Sequence, residues 1–126
     1  MSNAIVWLDG KTAKIFEFAG ESVTHRVYHR HDAEHVPEHT AKAGKALDRF
    51  FHGVAEHLRA TQAFIIVGPG VAKQQFVHHL QRHHHDELAK HLRSVESTDH
   101  PTDEQLIAQG REFFAHYQRT GLVHPV

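Results

Sequence analysis

The chain has 126 residues, of which 40% are hydrophobic and 23% are charged, a composition typical of one globular domain with a single core. The absence of cysteine excludes disulfides and thiolate metal ligands, and no apolar run approaches the roughly 18 residues of a membrane span. The formal net charge is −1 with all 16 histidines neutral, so charge alone neither requires nor excludes an anionic partner. We expect one cytoplasmic domain spanning residues 1–126.

The first part of the chain predicts an antiparallel meander of three strands. Ile5–Leu8 is a short apolar strand, and the Asp9-Gly10 dipeptide that follows it is typical of hairpin turns. Ala13–Phe18 and Ser22–His29 then place alternate side chains on opposite faces, with a second short turn between them. Three such segments joined by short turns favour three neighbouring antiparallel strands.

The middle of the chain predicts a helix, a buried strand and a second helix. Apolar residues from Leu47 to Leu58 recur at steps of three and four, which indicates a helix from about Thr40 to Arg59. Phe64–Val67 is continuously apolar and predicts a central strand covered on both faces. Gly68-Pro69-Gly70 ends this strand, and helical spacing begins near Val71.

The last part predicts a weaker fifth strand and a capped helix. A short helical turn at Asp86–Leu88 precedes the strand Leu92–Ser97. Thr102 and Gln105 have the spacing of a capping box, which starts a helix from Asp103 to about Arg119.

The predicted order β-β-β-α-β-α-β-α defines an α/β fold. It gives a mixed five-stranded sheet with helices on its faces, which is the ribonuclease-H-like arrangement. Gly110 lies on the apolar face of the last helix, where it indicates close approach to a neighbouring backbone. His25 shares a strand face with Val23 and Val27, and we expect it to be buried and hydrogen-bonded.

Two segments, Ile5–Phe16 and Phe64–Gly70, resemble a family of translation proteins. Together with the element order, they are similar to the middle domain of class-I peptide-chain termination factors of eukaryotes and archaea and to that of the ribosome-rescue factor Pelota. Small bacterial proteins with this domain alone are often described as translational machinery or host-attachment proteins. The resemblance covers Ile5 to about Tyr117 and implies a partner in translation, either the ribosome or tRNA.

The resemblance does not extend to the catalytic tripeptide of the family. In termination factors, Gly-Gly-Gln precedes the first long helix, and its glutamine places the water that releases the peptide. The matching stretch here is His29–Thr40, and Gly-Gly-Gln occurs nowhere in the chain. Because Pelota-type domains also lack it, the resemblance implies translation-related binding without peptide release. We therefore expect neither catalysis nor a cofactor.

The candidate RNA-binding residues are cations with one interleaved aromatic side chain. Such a set suits RNA, because cations contact phosphates and an aromatic ring stacks on bases. The competing interpretation is a solvated strand end and a polar helix face, since neighbouring carboxylates dilute the field. His25 precedes the group, and the predicted RNA-binding residues are Arg26, Tyr28, His29, Arg30, His31, Lys42, Lys45 and Arg49.

The histidines, the carboxylates and the glycine loop are the other candidate sites. His29, His31 and His35, or His79 with His83 and Asp86 or Glu87, have spacings that metal ligands use, although scattered surface histidines explain them equally. Carboxylates for a two-metal nuclease are limited to Asp9, Asp48 and Glu56. Gly68-Pro69-Gly70 with Lys73 lacks the phosphate-loop pattern and is interpreted as a turn.

Three functional hypotheses follow from the sequence. The first is a non-catalytic ribosome- or tRNA-binding protein acting in rescue, stalling or stress. The second is an enzyme, either a metal-assisted hydrolase or a peptidyl-tRNA hydrolase that uses the His-rich loop. The third is a protein-interaction module that keeps only the fold. A homodimer is considered because one residue of each adjacent pair, Phe50-Phe51 and Phe113-Phe114, is expected to be exposed.

Overall fold

The elements follow the predicted order. The computed structural model of the chain describes residues 2–31, 41–83 and 87–120, without the side chains of residues 41–43 and 118–120. The strands are β1 (Ser2–Leu8), β2 (Thr12–Ala19), β3 (Ser22–His29), β4 (Thr61–Gly68) and β5 (Leu92–Ser97). The helices are α1 (Ala41–Leu58), α2 (Ala72–His83) and α3 (Asp103–Thr120), and a 3-10 helix, Ala89–His91, precedes β5.

The five strands form one mixed sheet in the order β3-β2-β1-β4-β5. β1, β2 and β3 pair antiparallel, as the predicted meander requires, whereas β4 pairs parallel with both β1 and β5. This topology confirms the predicted ribonuclease-H-like sheet. β1 is the central strand, β4 is its interior neighbour, and β3 and β5 are the edges.

Helices cover both faces of the sheet, as predicted. One core lies between the sheet and α1 with α2 and includes Val6 and Ile66; the other lies under α3 and includes Ile5 and Ile65. Consecutive strand residues point to opposite faces, so the neighbours Ile65 and Ile66 are both fully buried but belong to different cores. The edge strand β3 differs, because most of its side chains are exposed.

The Gly-Pro-Gly turn ends β4 and leads to α2, as predicted. A Cβ atom built on Gly68 would lie 2.1 Å from the carbonyl oxygen of Leu8, so only glycine fits beside the end of β1. Gly70 has a φ of 63°, in the left-handed region that favours glycine. The capping box is also confirmed. The backbone N–H of Gln105 donates to Thr102 Oγ1 at 3.1 Å, and the backbone N–H of Thr102 donates to the side-chain Oε1 of Gln105 at 2.8 Å.

The prediction that His25 is buried is wrong. Its side chain is exposed and stacks on Phe16 directly across the β2–β3 pair, with ring centroids 4.4 Å apart. The physical reason is that α3 packs against β1 and β2 and leaves the outer part of the edge strand open.

The expected exposure of one phenylalanine in each pair is not observed. Phe50 and Phe51 are both buried, since they contact the core from adjacent positions of α1. Phe114 of α3 is buried between that helix and the sheet. Phe113 is half-buried and packs against the same core as Phe114. These rings therefore lend no support to self-association.

Two smaller expectations also change. A Cβ on Gly110 would lie 2.5 Å from Phe18 Cε2 and 3.0 Å from Ile5 Cγ2, so this glycine makes room for side chains and not for a backbone. Of the helical turn predicted at Asp86–Leu88, the described residues Glu87 and Leu88 lie outside the 3-10 helix, which begins at Ala89 after the buried Leu88. Asp86 lies outside the described residues, as do residues 32–40 of the predicted loop before α1.

Candidate nucleic-acid interface

A cleft of about 250 Å³ lies between β3 and α1, and we name it the β3–α1 cleft. Tyr28, His29 and His31 reach it from the end of β3, and Arg49 reaches it from α1. Four of the eight predicted RNA-binding residues thus meet in one place. The full lining is Tyr28, His29, His31, Ala46, Arg49, Phe50 and Gly53.

The helical spacing of α1 builds one wall of the cleft. Ala46, Arg49, Phe50 and Gly53 lie at positions i, i+3, i+4 and i+7 of α1, so they share the face that α1 turns towards β3. Phe50 is buried, and Gly53 has no side chain to fill the space beside Tyr28. Arg49 is exposed and permanently charged, which suits contact with phosphate. The cleft combines the aromatic ring of Tyr28, the apolar surface of Phe50 and the permanent positive charge of Arg49.

The other predicted cations lie around this cleft. Arg26 is exposed on β3, and its guanidinium carbon is 5.4 Å from the centroid of the Tyr28 ring, a cation–π distance. Lys45 is exposed one turn before Arg49 on α1. Arg30 is half-buried and lines a separate cleft of about 450 Å³ beside Pro69 and Gly70. Lys42 belongs to α1, but its side chain is outside the described residues.

A hydrogen-bonded chain behind Tyr28 was not anticipated from the sequence. The Tyr28 hydroxyl lies 3.0 Å from His57 Nδ1, and His57 Nε2 bonds to Glu17 Oε1. The Ser2 hydroxyl donates to the second oxygen of Glu17 at 3.1 Å. Glu17 and His57 are largely buried, with side-chain exposures of 19% and 18%. The available signal was an acidic residue between the two phenylalanines Phe16 and Phe18 of β2.

The histidines do not assemble a metal site among the residues described. No group of three or more His, Asp or Glu side chains able to hold a metal occurs in residues 2–31, 41–83 and 87–120. His79 is buried, its ring lies 4.8 Å from that of His83, and its Nδ1 is 3.9 Å from Asp48 Oδ1. His35 and Asp86, which the sequence added to these candidates, are outside the described residues.

The carboxylates considered for a nuclease are dispersed. Asp9 accepts hydrogen bonds from the amides of Lys11 and Thr12, both at 2.8 Å, and so caps the β1–β2 turn. Glu56 pairs with Arg59 on the surface of α1, and the Asp48 side chain is 72% exposed. Each acid therefore has a separate local role.

The Gly-Pro-Gly loop has the structure of a turn, as the sequence indicates. Lys73 is 3% exposed, and its ammonium group donates to the carbonyl oxygen of Gly70. A lysine held on its own loop in this way is not directed towards a ligand. Within the described part of the chain, no helix is both long and apolar enough to cross a membrane.

Comparison with known proteins shows the fold to which this surface belongs. No protein-family model matches the sequence, and no curated protein matches it. Among solved structures, the chain is similar to the archaeal translation termination factor aRF1, with a TM-score of 0.62 and 18% identity over 95% of this chain and 41% of that protein.

Two further neighbours are a Pelota protein and Dom34. Archaeoglobus fulgidus Pelota gives a TM-score of 0.60 at 18% identity, covering 92% of this chain and 31% of Pelota. S. cerevisiae Dom34, described as a translation termination-like factor in RNA quality control that interacts with Hbs1, gives 0.58 at 11% identity over 93% and 35% of the two chains. The chain thus has the fold of one domain of these proteins and spans between about a third and two fifths of their length.

Proposed function

We propose that the protein is a translation-associated, cytoplasmic RNA-binding protein that binds the ribosome or tRNA without peptide-release chemistry. The observation that carries the proposal is the convergence of Tyr28, His29, His31 and Arg49 on the β3–α1 cleft. The similarity to aRF1 and Dom34 supports translation as the setting, because aRF1 is a translation termination factor and Dom34 is a translation termination-like factor. The absence of Gly-Gly-Gln from the sequence supports binding without release.

The charges around the cleft support an RNA partner. Arg26 on β3 and Arg49 on α1 are both exposed; Arg26 lies over the Tyr28 ring, and Arg49 lines the cleft together with that ring. Lys45 lies one turn before Arg49 on the same helix. Cations on two elements follow a phosphate backbone, while the aromatic ring and Phe50 provide an apolar surface for a base.

Co-sedimentation of the purified protein with ribosomes at low and moderate salt tests the proposal. The double variant Arg26→Glu/Arg49→Glu should lose co-sedimentation, because both replaced side chains are exposed, Arg49 lines the cleft and Arg26 lies over its Tyr28 ring. The matched control is Lys90→Glu/Arg111→Glu, which changes net charge equally at exposed positions on other elements. Failure of the wild-type protein to bind ribosomes or tRNA at low salt would overturn the proposal, as would equal loss in both variants.

A further inference from the structure

Tyr28 is held at its hydroxyl end by a chain of side chains from three elements. Glu17 on β2 bonds to His57 on α1, and His57 bonds to Tyr28 on β3 at 3.0 Å. A carboxylate only accepts, so His57 Nε2 is the donor to Glu17. In a neutral imidazole, Nδ1 then accepts the Tyr28 proton. The Ser2 hydroxyl fixes the remaining oxygen of Glu17.

The hydrogen bonds to Glu17 and His57 and the β3–α1 cleft involve different parts of the Tyr28 side chain. Gly53 is one turn before His57 on α1, and a Cβ on Gly53 would lie 3.9 Å from Tyr28 Cδ1 and Cε1. The hydroxyl is therefore fixed beside His57, while the body of the ring forms part of the β3–α1 cleft beside Gly53 and Arg49. Exposed side chains on an edge strand are ordinarily free to change rotamer, but the hydrogen bond to His57 fixes the position of the Tyr28 ring.

We propose that the β3–α1 cleft binds one unpaired nucleotide of single-stranded RNA and that Glu17 and His57 are positioning residues for its Tyr28 wall. This inference rests on the proposed function and specifies its ligand. Tyr28 and the buried Phe50 contact the base, and Arg49 contacts the adjoining phosphate.

The size of the cleft favours an unpaired nucleotide over a duplex. Its volume of about 250 Å³ lies below the 300–1,000 Å³ of typical drug-sized pockets, so it has room for no more than one base. A base within a helix is stacked on both faces and cannot enter, whereas a base in a loop or at an end can. Gly53 leaves this space open, and a larger residue there would occupy it.

The test measures binding of a labelled 12-nucleotide single-stranded RNA and of the matching RNA duplex by fluorescence anisotropy at low salt. We expect the single strand to bind the wild-type protein at least tenfold more tightly. Gly53→Leu should weaken that binding at least tenfold by filling the cleft. Gly44→Leu, the same substitution at an exposed position of α1 outside the cleft with no atom within 4 Å of its Cβ, is the control and should stay within about twofold of the wild type.

The positioning role is tested by rescue. His57→Ala should weaken single-strand binding several-fold, whereas His57→Gln should restore it, because an amide can donate to Glu17 and accept from Tyr28. Fluorotyrosine NMR adds a direct readout: of the two tyrosine signals, that of Tyr28 should shift on RNA addition in the wild type and in His57→Gln.

The outcomes distinguish the two proposals. If the wild type binds no RNA, the proposed function fails and this inference fails with it. If single strand and duplex bind equally, or if Gly53→Leu binds like the wild type while melting normally, only the inference is overturned. Equal binding by His57→Ala and the wild type overturns the positioning role of Glu17 and His57.

Discussion

Gly68→Ala is the substitution for which the structure gives the clearest destabilisation. The added methyl would lie 2.1 Å from the carbonyl oxygen of Leu8 and 3.1 Å from its carbonyl carbon. Both contacts are with the backbone of the central strand β1, which cannot rotate away as a side chain can. Overpacking a core usually costs about 1–3 kcal/mol. A backbone clash this close belongs at the upper end, so we expect the free energy of unfolding to fall by about 3 kcal/mol.

Thermal unfolding followed by the fluorescence of Trp7 measures this loss. Trp7 is the single tryptophan, is 5% exposed, and donates to the carbonyl oxygen of Asp99 at 2.9 Å. For a domain of this size, a loss of about 3 kcal/mol lowers Tm by roughly 10 °C. Gly10→Ala is the matched control, because no atom lies within 4 Å of its added methyl. A Tm for Gly68→Ala within about 2 °C of the control would refute the reasoning.

Four further substitutions test helix α3, helix α1 and the RNA contact. Thr102→Ala should lower the free energy of unfolding, measured in urea, by about 1 kcal/mol. Because Thr102 and Gln105 hydrogen-bond to each other, adding Gln105→Ala to this variant should lower it little further. Gly44→Ala, at an exposed helical position with open space around it, should raise stability by about 0.5–1 kcal/mol, and a lower Tm would contradict this. Arg49→Gln should reduce the slope of log K against log salt for single-stranded RNA by about 0.7, and an unchanged slope would exclude a phosphate contact.

The fold could be predicted from the sequence because its signals are local. Phe64–Val67 is continuously apolar, and the structure buries every one of its residues in an interior strand. The Gly68-Pro69-Gly70 turn and the Thr102–Gln105 capping box are short patterns whose geometry depends on few neighbours. The burial of His25 was mispredicted for the opposite reason, since it depends on how far α3 extends across the sheet.

The candidate site was predicted only in part, for a related reason. Tyr28 and Arg49 are predicted from the sequence as an aromatic and a cationic RNA contact, and the packing of α1 against β3 brings them to one cleft. The roles of Glu17 and His57 could not be inferred, because the residues are 40 positions apart and meet only after β2 and α1 pack together. Glu17 between Phe16 and Phe18 is a local sign of a buried polar contact, but it does not identify the partner.

The edge strand β3 is where function can diverge while the fold is kept. Residues of β1 and β4 are buried on both faces, so packing restricts what they can be. The side chains of β3 are mostly exposed and free of that restriction. Arg26 and His29 also discourage pairing of this edge with another sheet, which is reason enough for cations there. Edge protection does not require the Tyr28 hydroxyl to be fixed by His57 and Glu17, so this contact argues for a binding role in addition to a protective one.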